Sequence, residues 1–168
     1  WAAGNLNLTI RHLPLPPYEA VPGNALIRTF EALDDVALSP ASAVIWNIGM
    51  HSLTAGSDLR DFQSHLTFLT NYTWRHGKTP VLVTPPVTPE FKRRDLRPYA
   101  LMTMELGETC GIPVIDYYSA TLMRGSIAEF YMVQESQPAL LSAVPNASGR
   151  IWFLKQLAEN IKRYHGYN

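Results

Sequence analysis

A surplus of one charge is missing from this chain: Lys and Arg number 14, Asp and Glu number 14, and the net charge at pH 7 is zero. A neutral chain has no long-range field to gather nucleic acid or an anionic membrane surface, which removes both from the expected partners. Cysteine is reduced to Cys110 alone, so no internal disulfide and no cysteine-based metal site can form. Its place on an apolar face just before Gly111 predicts a small buried core residue. His12, His65, His76 and His165 show no ligand-like spacing among themselves or with Asp and Glu, so no metal is expected. A Gly-x-Gly-x-x-Gly fingerprint and a P-loop are both absent, which predicts no cofactor and ranks a nucleotide-binding, flavodoxin-like module last. No apolar run nears the roughly 20 residues that span a bilayer. No basic-then-apolar leader opens the chain, and its start at Trp1 rather than Met predicts a mature or excised segment.

What is present reads as one globular domain over residues 1–168, with 46% hydrophobic and 17% charged residues. Leu6, Leu8 and Ile10 alternate with polar residues as in a half-buried strand, ended by Pro14-Leu15-Pro16-Pro17. Leu26, Phe30 and Leu33 mark a helical face closed by Ser39-Pro40. Ala43 to Ile48 is a nearly continuous apolar run stopped by Gly49, the pattern of a central strand covered on both faces. Leu59, Phe62, Leu66, Leu69 and Thr73 fall at helical spacing, and His76-Gly77 supplies the stop. Pro80 to Thr84 and Ile112 to Asp116 read as further buried strands. Between them lie a basic loop over Thr88–Arg97 and a helical face of Tyr99, Met102, Leu106 and Cys110. Gly125 to Ala143 has no clean period and is expected to be an extended loop with short pieces of structure. Leu154, Leu157, Ile161 and Tyr164 mark a final helix starting near Asn146 to Gly149.

Strands separated by helices require crossover connections. The expected class is therefore α/β, a three-layer sandwich with a mostly parallel sheet. Function in such sheets gathers at the carboxyl ends of the strands, here Gly49-Met50-His51, Thr84-Pro85-Pro86 and Asp116-Tyr117-Tyr118. The order of these blocks resembles the SGNH (GDSL-like) esterase fold. Val44-Ile45-Trp46-Asn47-Ile48-Gly49 looks like the strand delivering that family's Gly-x-Asn block. Gly111-Ile112-Pro113-Val114-Ile115-Asp116 looks like its late strand, and Pro145-Asn146-Ala147-Ser148-Gly149 looks like the tail of its Asp-x-x-His-Pro-Asn-x-x-Gly block. With His51 in place of the usual Asn, Gly49-Met50-His51 is similar to the PC-esterase branch, in particular to the C-terminal domain of the neurexophilin-and-PC-esterase (NXPE) group. Active members of these branches hydrolyse or transfer O-acyl groups, often acetyl groups on glycans.

The departures from that pattern set the functional expectation. No Gly-Asp-Ser nucleophile motif occurs, so the chain is expected to be degenerate or incomplete, lacking the family's first strand. The same alignment puts Leu141 where the triad Asp belongs and Val144 where the catalytic His belongs. An isobutyl group cannot orient an imidazole, and an isopropyl group cannot accept a proton. The resemblance thus implies a non-catalytic domain with a structural, adhesive or glycan-contacting role, in which Gly49 and His51 are the remnant of an oxyanion loop. The alternative is a carbohydrate O-acyl (acetyl) esterase or transferase whose nucleophile segment comes from outside this chain. It would need a replacement base, for which Glu135 and His51 are distant candidates. A missing first strand would leave an open sheet edge, to be covered by a protein neighbour or a second copy.

Several residues carry a sharp and a bland reading. His51 could donate to a developing oxyanion or satisfy loop backbone groups, and the second carries more weight without a triad. Ser52 and Ser119 are weak replacement nucleophiles, and Asp116 reads first as a cap for the following turn. Lys92-Arg93-Arg94 with Arg97 could bind an acidic glycan or phosphate, but a solvated loop face is the first reading. Trp152-Phe153, near Tyr164 and Tyr167, reads as core before contact surface. Asn7, Asn71 and Asn146 each open an Asn-x-Ser/Thr sequon, a mild enrichment that points to a secreted or lumenal glycoprotein. A cytoplasmic protein with chance sequons is the alternative.

Overall fold

The computed structural model describes residues 33–54, 57–88, 93–123, 131–134 and 137–165. The strand expected over Leu6–Ile10 and the helical positions Leu26 and Phe30 lie outside them. In chain order the elements are α1 (Leu33–Leu38), β1 (Ala43–Trp46), α2 (Gly49–Thr54), α3 (Leu59–Arg75), β2 (Thr79–Val83), α4 (Arg93–Cys110), β3 (Val114–Ile115), α5 (Tyr117–Met123), β4 (Tyr131–Gln134), β5 (Gln137–Pro145) and α6 (Ala147–His165).

β1, β2 and β3 form a parallel sheet in that order, with Trp46 beside Leu82 and Leu82 beside Val114. Side chains alternate between the faces of a strand, and here each face finds its own helices. Trp46, Leu82 and Val114 pack with Phe62, Leu66 and Leu69 of α3 and Tyr99 of α4. Val83 and Ile115 point the other way and pack with Tyr117, Leu157 and the half-buried Phe153. Helices on both faces of a parallel sheet make the three-layer α/β architecture anticipated from the strand–helix alternation. β1 differs from the expected fully covered central strand. Among the described residues it pairs with β2 alone, and Ile45 is 39% exposed.

α3 shows how local signals set an element. Asp58 accepts a hydrogen bond from the Asp61 amide at 2.8 Å and opens the helix. Gly77, at φ 67°, closes it in a left-handed conformation that glycine adopts without a Cβ penalty. Thr73 is fully buried between helix and sheet. Its hydroxyl donates to the Leu69 carbonyl at 2.7 Å and accepts from the Trp46 indole N–H at 2.9 Å. α3 and β1 are thus joined by a polar contact inside an apolar layer.

Four expectations are corrected. α4 begins at Arg93, inside the segment read as a loop. Pro98 breaks only one backbone bond near the helix start, and burial of Leu96, Tyr99, Ala100 and Thr103 holds the rest. Cys110 is exposed, because the whole last turn from Glu108 to Gly111 stands in solvent and its apolar spacing has nothing to pack on. Most of the segment read as an extended loop forms the antiparallel pair β4–β5. Register shifts between Tyr131 and Val133, and between Val133 and Gln134, erase the period-two pattern that would have announced it. On α6 the core face is Phe153 and Leu157, while Leu154 is 39% exposed.

Candidate functional site

The carboxyl ends of the three parallel strands lie side by side, and the residues there are engaged mainly with one another. Gly49 is the first residue of α2, so the expected loop Gly49-Met50-His51 is the opening turn of a short helix. A Cβ on Gly49 would stand 3.0 Å from three ring carbons of Pro85, and Pro85 is fully buried. Any larger residue would press on that ring, which would have to give by a few tenths of an ångström for the ends of β1 and β2 to stay this close. His51 lies within the same helix. The Ser52 amide donates to the Ile48 carbonyl at 3.1 Å, while the buried Ser52 hydroxyl has no hydrogen-bond partner.

Thr84 organises the neighbouring ends. It is fully buried, and its Oγ1 donates to Asp116 Oδ1 at 2.9 Å and accepts from the Tyr118 amide at 2.8 Å. Asp116 Oδ1 also accepts from the Ser119 amide at 3.1 Å, which makes Asp116 the N-terminal cap of α5, as its position after a strand suggested. One turn on, Thr121 Oγ1 accepts from the Val87 amide at 3.0 Å and fixes the Pro85–Thr88 segment onto α5. The sequence marks Thr84 as a strand end but does not reveal its organising role, because its partners lie more than thirty residues away.

No triad is assembled among the described side chains. His65 lies buried on α3, its Nε2 has no partner, and burial lowers its pKa to about 4, so the ring is neutral near pH 7. His76 ends α3, its Nδ1–H donating to the Tyr72 carbonyl at 2.9 Å. Tyr99 donates its hydroxyl to the Ser57 carbonyl at 2.6 Å, and burial with the nearby Asp58 carboxylate pushes its pKa up. Burial likewise raises Tyr117, whose hydroxyl donates to the Phe153 carbonyl at 2.8 Å. Leu141 and Val144 occupy β5, and Leu141 pairs with Val133 in the ladder. Pro145 ends that strand, and Asn146 caps α6 by accepting from the Gly149 amide at 3.0 Å. Glu135 and Asn7 lie outside the described residues. In the basic run, Arg93 and Arg94 open α4 and Arg97 is exposed on it. Asn71 is exposed on α3. Among the described residues no three His, Cys, Asp or Glu side chains gather as a metal site, and no helix is long and apolar enough to cross a membrane.

Element order, the parallel sheet and helices on both faces define a three-layer α/β fold. Among solved structures the chain is similar to the psychrotrophic esterase EstA from Pseudoalteromonas sp., in a form inhibited by monoethylphosphonate. The TM-score is 0.61 at 16% sequence identity, covering 87% of this chain and 73% of that one. No family model and no curated protein matches the sequence.

Proposed function

We propose that this domain is a non-catalytic SGNH-type module of the PC-esterase kind, akin to the C-terminal domain of the NXPE group. In this reading it serves as a structural, adhesive or glycan-contacting part of a secreted glycoprotein. The observation that carries the proposal is the run from β5 into α6. Pro145 and Asn146 stand at the junction, Asn146 as the helix cap, which supports the alignment of Pro145–Gly149 with the family's terminal block. That register gives the triad positions to Leu141 and Val144, neither of which can orient or transfer a proton. The strand ends support the same reading. Asp116 is engaged by Thr84 and the Ser119 amide, and the space above Gly49 is filled by Pro85.

Purified protein is expected to release no product above buffer from p-nitrophenyl acetate or from O-acetylated glycans. It is also expected to gain no mass after incubation with an activated alkylphosphonate. Turnover that the phosphonate abolishes, with a serine adduct found by peptide mapping, would overturn the proposal and favour an acyl esterase or transferase instead. Secretion as a glycoprotein is read by peptide mass spectrometry at Asn7, Asn71 and Asn146 on protein recovered from a eukaryotic secretory host. Unmodified asparagines at all three positions would remove that part of the reading.

A further inference from the structure

Beside Asp116, on the flank of the sheet away from Gly49, α5 and α6 part to leave an open groove of about 500 Å³. It is open to solvent, so a ligand there would be held along one face. Trp152, Gln156 and Asn160 line it from α6 at four-residue spacing, one stripe of that helix, and Asp116, Ser119 and Met123 line it from the other side. Its polar atoms are under-used. Asp116 bonds through Oδ1 and, among the described residues, leaves its second oxygen without a partner. Asn160 uses its amide N–H on the Gln156 backbone carbonyl at 2.8 Å, which leaves its side-chain carbonyl oxygen to accept. Among the described residues, the Ser119 hydroxyl and the Gln156 side-chain amide show no hydrogen-bond partner.

We infer that this groove is a subsite for a neutral saccharide, with Trp152 as the wall against a sugar ring and Asp116, Ser119, Gln156 and Asn160 as hydroxyl acceptors and donors. The lining excludes the competing chemistries. A wholly apolar ligand would cover the carboxylate and the amides without replacing their water, leaving each of them unpaired. An anion would meet the Asp116 carboxylate with no cation among the groove's lining residues. A small cation could draw on that carboxylate and the amide oxygens, but it would leave the Gln156 amide N–H groups and the face of Trp152 unused. A sugar presents hydroxyl donors to a lining in which acceptors predominate, and its C–H face suits an aromatic wall. This deepens the glycan-contacting part of the proposed function, and it stands whether or not the strand ends retain chemistry.

The test is heteronuclear NMR on the full chain, titrated with lactose, cellobiose and chitobiose, with choline and glucuronate as comparators. At least one disaccharide is expected to shift the Trp152 indole and the Gln156 and Asn160 side-chain amides, with millimolar affinity. Gln156→Ala should weaken that response roughly three- to tenfold, and Trp152→Ala roughly tenfold. Gln156 is half-buried and its backbone carbonyl is kept, so an unchanged melting temperature in Gln156→Ala separates lost binding from lost fold. The inference is overturned if no disaccharide moves these resonances, if Gln156→Ala binds like the parent, or if choline alone moves them. A phosphonate adduct would sink the non-catalytic reading and leave this one intact; failed titrations would do the reverse.

Discussion

At the scale of single residues, the side chains of greatest consequence are buried polar ones. His65 is buried on α3, and burial moves its pKa from 6.5 down to about 4. The unfolded chain therefore binds a proton that the folded chain refuses throughout that window, so stability falls as pH drops from 6.5 and the loss is complete near 4. A shift of this size amounts to about 3 kcal/mol. Chemical denaturation across this range is expected to show the decline, and His65→Leu should flatten it; a variant whose stability falls as steeply as the parent's would assign the acid sensitivity elsewhere. None of this could be read from a lone histidine in a sequence. Only packing shows that His65 is buried while His76, three turns on, is exposed.

Between elements, the strand ends are held by contacts that do not repeat along the chain. Thr84 accepts the Tyr118 amide and reaches Asp116, so it joins β2 to the start of α5 across the end of β3. Thr84→Val keeps the shape and removes both bonds, leaving a buried amide unpaired. It should cost about 1–3 kcal/mol, measured as a lower urea midpoint with an unchanged slope. Thr84→Ser should recover most of that loss, since it keeps the hydroxyl. The parallel strands and α3 were legible beforehand because their signals are local: an unbroken apolar run stopped by glycine, a strict helical spacing, a capping Asp58. The β4–β5 pair was not, since its register slips leave no period to count. The start of α4 was hidden behind Pro98, where burial of Leu96 outweighs one missing backbone bond. The candidate site divides in the same way. Asp116 as a cap could be read from its neighbours in sequence, whereas β1 ends at Trp46 and Gly49 opens a helix, and Pro85 over Gly49 and Thr84 under Asp116 are tertiary.

For the whole molecule, the two faces of the sheet are closed in different ways. One holds α3 and α4 over Trp46, Leu82 and Val114, with Val114 so near α4 that a methyl group on Gly107 would collide with it. The other holds α6 over Val83 and Ile115 and leaves Ile45 half open. The closed face contains Thr73, and Thr73 belongs to two descriptions at once. It is the hydroxyl that ties Trp46 to Leu69, and it is the third residue of the sequon that begins at Asn71. A glycosylating enzyme must read Asn71, Tyr72 and Thr73 as an accessible stretch, and the finished fold withdraws Thr73 entirely. A sugar at Asn71 would thus have to arrive before α3 settles on β1, and its occupancy would time that event. Trp46→Phe leaves the sequon intact and removes the indole that recruits Thr73. In protein recovered from a eukaryotic secretory host, should Asn71 be modified at all, it is expected to raise the fraction of chains carrying that sugar, a clock read by mass spectrometry.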